Sequence, residues 1–414
     1  MSTILLLLDA FRHDYLSEKT TPFLWRCAQE GEYYAGVEQS MGFCERSEIL
    51  TGLRGDESGF FTAIGFDPPN SPYANLSCTQ FLNITELTAL FFSSIFSKNF
   101  SARVQEKLRY IISGQLRKRG IKMSPYFIPY SWIHLFALTE DRIDHRDPTA
   151  FKTPSIFTLL NTAGRTYCYD SFTALNFQSP YQSDEERLNA VIRNIKKSHK
   201  DLYLVYIAAA DVYGHAYGPA SLEFRHVLID LDGHLEHFVK TIESFAPGNR
   251  YIFLGDHGMA TVTNRIDAEK EIIRLLCLTE LRKGHDVVYF LDSTMVRLWV
   301  MNDKARKRLP HALASSKLFN ENGLWMGHAL ANRCHVPWPD RHYGDYLWVA
   351  NSGNLVFPDF FHRRLPCKGM HGYDPHLPES HGMCINWGKG VPMNQHTIMP
   401  LTKAFNILKE NLKL

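Results

Sequence analysis

Six side chains in this sequence have the types needed to hold divalent cations: Asp9, Asp211, His215, Asp256, His257 and His371. A mixed set of three carboxylates and three imidazoles suits Zn²⁺ first and Mn²⁺ second. Two such ions roughly 4 Å apart can grip the attacking and leaving oxygens of an in-line displacement. Each residue alone has a plainer reading. An Asp just past a strand is commonly a helix N-cap. Asp211 and His215 could be an i,i+4 helical pair, Asp256-His257-Gly258 a tight turn, and His371 a loop histidine. Chemistry is favoured by where they fall together.

Their placement follows from the elements around them. Ile4–Leu8, Leu202–Ile207 and Tyr251–Leu254 are short, continuous apolar runs, and Tyr167–Tyr169 is a fourth. Helical patterns lie between them, from Thr21 to about Gly31, over Pro154–Ala163 and over Leu222–Phe245. Strands apolar on both faces and separated by helices predict an α/β fold. Its centre is a doubly wound, mostly parallel sheet with helices on both faces, and insertions are added to it. Such sheets bind ligands outside the carboxyl ends of their strands. Asp9, Asp211 and Asp256 each follow an apolar run, at that edge.

Two stretches break the rhythm. Residues 61–148 form an aromatic and basic insertion, with eight basic residues against the single acid Glu106 between Lys98 and Lys122. Residues 265–354 form a smaller, cap-like insertion with strand-like pieces at Val287–Leu291 and Met295–Val300. The catalytic core is then expected from 1–60, 149–264 and 355–414. A solvated helical face is the default for 91–130. A clamp over a lipid-linked substrate and a membrane-surface contact are the other readings, on account of Phe91, Phe92, Ile95, Phe96 and Phe100 beside basic residues.

At 414 residues and a formal net charge of +2 the chain has no global pull toward a nucleic-acid polymer. Its eight scattered cysteines carry no CxxC and suit reduced thiols in a cytoplasm, with a peripheral membrane position compatible with the insertion. The opening Ile4–Leu8 run stops at Asp9 and lacks a positive flank, so it reads as a buried strand rather than a signal peptide or span.

The wording of the motifs resembles the type I phosphodiesterase/nucleotide pyrophosphatase family of the alkaline phosphatase superfamily. Leu7-Leu8-Asp9-Ala10-Phe11-Arg12-His13-Asp14-Tyr15-Leu16 is similar to its opening DGxRxDYL, and Thr21-Pro22-Phe23-Leu24 to its TPxL. Thr51-Gly52-Leu53 resembles the TGL after the nucleophile. Asp211-Val212-Tyr213-Gly214-His215-Ala216-Tyr217-Gly218-Pro219 matches DxxGHxxGP. Gly255-Asp256-His257-Gly258-Met259 matches SDHGM after its first residue, and His371-Gly372-Tyr373-Asp374 the late HGYD. The resemblance implies an alkaline phosphatase-like fold and two metal sites, one on Asp9, Asp256 and His257, the other on Asp211, His215 and His371. It implies hydrolysis of phosphodiester or pyrophosphate bonds in a phosphorylated small molecule or nucleotide derivative.

One position departs from the family. Counting back from Thr51, the nucleophile falls on Gly42, which has no side chain. Cys44 is the favoured replacement, because a thiol at a helix start near a metal is easily ionised. Ser40, Ser47 and a metal-bound water are its alternatives. Cys44-Glu45-Arg46-Ser47-Glu48 lacks the sulfatase CxPxR pattern. Arg46 is placed either to hold a substrate oxyanion or to pair with Glu45 or Glu48. His381 is either substrate-facing or a turn histidine. Two other functions fit the same motifs: a phosphoethanolamine- or phosphoglycerol-type transferase, and a metal-bound pseudoenzyme that binds a phosphorylated partner.

Overall fold

The computed structural model describes residues 1–43, 45–74, 98–118, 120–121, 123–170 and 183–414. Its centre is a seven-stranded sheet. From edge to edge the strands are Asn394–Pro400, Glu32–Glu38, Gly382–Gly388, Arg250–Leu254, Thr3–Leu8, Leu202–Ile207 and Tyr167–Tyr169. Only Gly382–Gly388 runs antiparallel to its neighbours. Thr3–Leu8 is central, with Leu5 registered against Leu204 on one side and Ile252 on the other.

Alternation along the strands sorts the side chains into two layers. Ile4, Leu6 and Leu8 pack with the helices Pro22–Glu30, Asp184–Lys197 and Leu222–Phe245. Leu5 and Leu7 pack on the opposite face with Glu45–Thr51, Ile156–Thr162 and Lys403–Leu412. Both faces of the strand are therefore dry, which is why its sequence is a run of leucines. Full burial of each contributes on the order of 2 kcal/mol. The expected doubly wound α/β sheet, alkaline phosphatase-like in layout, is the one observed.

The stretch Val287–Ala350 holds a separate four-stranded antiparallel sheet. Its apolar side shares one core with Ile64, Tyr73, Ile128, Trp132 and Phe136 from the 61–148 stretch. The helix Lys98–Lys118 exposes Tyr110 and Ile111. Its Arg109 is buried, donating to the carbonyl of Ile128 at 3.1 Å and lying 4.4 Å from the Tyr130 ring. That basic residue is therefore structural, fixing the turn after the helix. Among the described residues no helix is long and apolar enough to cross a membrane.

Candidate active site

The loops at the carboxyl ends of the three central strands converge. Thr3–Leu8 ends at Asp9, and Arg250–Leu254 runs into Asp256 and His257. Leu202–Ile207 leads into the helix Ala209–Tyr217, whose i,i+4 spacing puts Asp211 and His215 on one side. His371 comes from the loop after the short strand Gly369–Met370. The ligand atoms of Asp211, His215 and His371 lie within 4.8 Å of one another, as do those of Asp9, Asp256 and His257. The His257 and His371 rings are stacked with centroids 4.2 Å apart, so the two triads adjoin.

Backbone carbonyls orient two of the imidazoles. Nδ1–H of His215 donates to Gly369 at 2.8 Å, leaving Nε2 3.1 Å from Asp211 Oδ1. Nδ1–H of His257 donates to Gly258 at 2.9 Å, leaving Nε2 3.3 Å from Asp9 Oδ1. Fixing one ring nitrogen so that the other points inward is how proteins present metal-binding histidines. The Tyr206 hydroxyl donates to the second oxygen of Asp9. Asp256 accepts the amides of Ala10 and His257 at 3.2 and 2.9 Å. Asp184 accepts the amides of Ala208 and Ala209 at the start of the Asp211 helix.

The electrostatics are those of a buried set with charges to share. Burial, added to by Asp9 and Glu45, pushes the Asp256 carboxyl well above its ordinary range against the pull of His257. Burial and the nearby His257 hold His371 down at about 4, so its imidazole stays neutral and available above that pH. Burial alone would depress His215, but the Asp211 carboxylate outweighs it and raises it well above 6.5. Among the described residues His371 Nδ1 is buried without a hydrogen-bond partner. Three clustered carboxylates and inward-facing imidazole nitrogens fit divalent cations, which would offset the repulsion between Asp9 and Asp256.

A third group, Cys334, Asp374 and His376, also converges. Asp374 there already pairs with Arg333 and with His376 Nδ1, and a guanidinium in the cluster opposes a second cation. Cys367 lies beside the first triad. Burial would raise its thiol, yet His215 and His362 outweigh this and lower it to about 6.

The type I phosphodiesterase/nucleotide pyrophosphatase family model matches residues 3–374. The chain belongs to this family. It is a phosphoric ester hydrolase of the nucleotide pyrophosphatase/phosphodiesterase kind. Solved structures that share its fold include two of the same kind from mouse and human. Murine ectonucleotide pyrophosphatase/phosphodiesterase 5, an inactive variant in complex with AMP, is 18% identical with a TM-score of 0.68 over 100% of this chain and 95% of that one. The human protein of the same name is 18% identical with a TM-score of 0.69 over the same shares.

Gly42 has φ +129°, and a Cβ there would lie 2.1 Å from the carbonyl oxygen of Phe61. No side chain fits. Ser40 and Ser47 are engaged elsewhere: Ser40 Oγ accepts the Gly55 amide at 3.1 Å, and Ser47 Oγ donates to Ser58 Oγ at 3.4 Å. Cys44 lies outside the described residues.

Arg46, read from the sequence as a substrate contact or a partner of Glu45 or Glu48, makes its hydrogen bonds to two other carboxylates. It is 5% exposed, with Nε donating to Glu140 at 3.1 Å and Nη1 to Asp141. Both carboxylates come from the 61–148 stretch. His381 joins neither triad; it is buried, 6.4 Å from the His13 ring, with Nε2 lacking a partner among the described residues. Glu45 was missed by sequence reasoning. Burial raises its carboxyl to about 7, and it lies in the fields of His257 and Asp9.

Glu48, on the same helix, gives a test of this packing. It is 2% exposed, accepting the Ser40 amide at 2.7 Å. Burial raises its carboxyl from 4.5 to about 7. The folded value lies above the unfolded one, so ionisation weakens the fold progressively from about pH 4.5 to about pH 7. Glu48→Gln is therefore expected to gain about 1–3 kcal/mol at pH 8 and almost nothing at pH 4.5. Thermal melts at the two pH values measure it, and a gain independent of pH would contradict the assignment.

Proposed function

We propose that the six side chains hold two divalent ions, Zn²⁺ by preference, and that the chain hydrolyses a phosphodiester or pyrophosphate bond of a nucleotide derivative. The observation that carries this is the pair of adjoining triads, each with its ligand atoms within 4.8 Å. The AMP held by the murine structural neighbour supports the nucleotide class. When bound, the ions would supply positive charge against the substrate's non-bridging oxygens.

The chain's own groups set the stage for that charge. Gly369 and Gly258 fix the inward nitrogens of His215 and His257. Tyr206 holds one oxygen of Asp9, leaving the other toward His257. Gly42 has no side chain to supply the attacking atom, and among the side chains nearby Cys44 is the one assigned that role. The test is hydrolysis of bis-p-nitrophenyl phosphate against p-nitrophenyl phosphate, with and without EDTA. The diester is expected to react faster, and EDTA to stop it. Monoester turnover larger by orders of magnitude would contradict the reading.

A further inference from the structure

We infer that Glu140, supplied by the 61–148 stretch, is a positioning residue that sets the helix Glu45–Thr51 at its working height beside the two triads. The inference rests on the proposed two-ion reading.

Two donors and an imidazole nitrogen converge on this carboxylate, which is 0% exposed. Oε1 accepts the backbone amide of Ser47 at 2.7 Å and lies 3.4 Å from His145 Nε2. Oε2 accepts Nε–H of Arg46 at 3.1 Å. Burial would raise Glu140, but the Arg46 guanidinium outweighs it and keeps the carboxyl below its ordinary value, hence ionised. The first amides of a helix have no partner within it. A capping side chain ordinarily comes from the residue just before. Here the cap comes from 93 residues away in the chain.

The helix so capped starts at the chemistry. The Phe43 ring is 5.4 Å from the His371 ring, and the Glu45 carboxyl lies in the fields of His257 and Asp9. This approach is anchored on both sides. On one side the Phe43 amide donates to the Phe61 carbonyl at 2.9 Å. On the other, Glu140 holds Arg46 and Ser47. Glu140 and Asp141 together also engage the Arg46 guanidinium. Loss of Glu140 frees the start of the helix and leaves this guanidinium held through Nη1 alone, by Asp141. Displacements of about 1 Å near a reacting centre can cost roughly 100-fold in rate.

The test uses the full chain with its metals. Metal content, melting temperature, kcat and KM for bis-p-nitrophenyl phosphate are measured for wild type, Glu140→Gln, Glu140→Ala and Asp141→Asn. Glu140→Gln preserves shape and an acceptor oxygen, so it guards against simple failure to fold. It is expected to keep both ions and a near-normal KM while kcat falls up to roughly 100-fold. Asp141→Asn, which loses only the contact to Nη1, is expected to lose less. An unchanged kcat in Glu140→Gln, or a kcat loss matched by loss of metal or folded protein, would overturn the positioning role. A wild type without metal-dependent diester hydrolysis would overturn the functional reading as well, which separates the two failures.

Discussion

Replacing His371 with alanine is expected to remove one of two bound ions and to lower kcat by more than about 1000-fold, since losing even a single hydrogen-bond donor to a developing oxyanion costs roughly 100- to 1000-fold. His371 is the side chain through which the triads meet. Its Nε2 is 3.4 Å from Asp211 Oδ1, and its ring is 4.2 Å from that of His257 and 5.1 Å from that of His215. Among the described residues no further imidazole joins either triad. Metal analysis and steady-state kinetics on the same preparation check the result. Full activity with one ion bound would mean that the chemistry runs without the second.

Installing a threonine at Gly42, where the family register puts the nucleophile, is expected to damage the fold rather than improve catalysis. The added Cβ would sit 2.1 Å from the Phe61 carbonyl oxygen, and φ +129° is hostile to a β-branched residue. Strain and overpacking together cost on the order of 3 kcal/mol. The same Phe61 carbonyl accepts the Phe43 amide, so the clash would also disturb the approach to His371. The measurement is the melting temperature together with diesterase activity. A stable and more active Gly42→Thr would show that the loop has the family's shape after all.

The central strands were legible because burial on both faces leaves no choice but apolar residues, as in Ile4–Leu8 and Leu202–Ile207. Asn394–Pro400 was not legible. It lies at the sheet edge with six of its seven residues exposed, and its Asn, Gln, His and Thr carry no apolar pattern. The metal-ligand candidates could be picked out by residue type and by their place after strands. What holds them was hidden, because Tyr206 reaches Asp9 across 197 residues and Glu140 reaches Ser47 across 93. Arg46 shows the same limit from the other side. Its local neighbours Glu45 and Glu48 looked like the natural partners, whereas tertiary packing supplies Glu140 and Asp141.

The most direct measurement is anomalous diffraction from crystals of the metal-loaded protein at the absorption edge of the ion found by elemental analysis. The account predicts two peaks roughly 4 Å apart. One is expected among Asp211, His215 and His371, and the other among Asp9, Asp256 and His257. A single peak, or metal bound away from these six side chains, would contradict it.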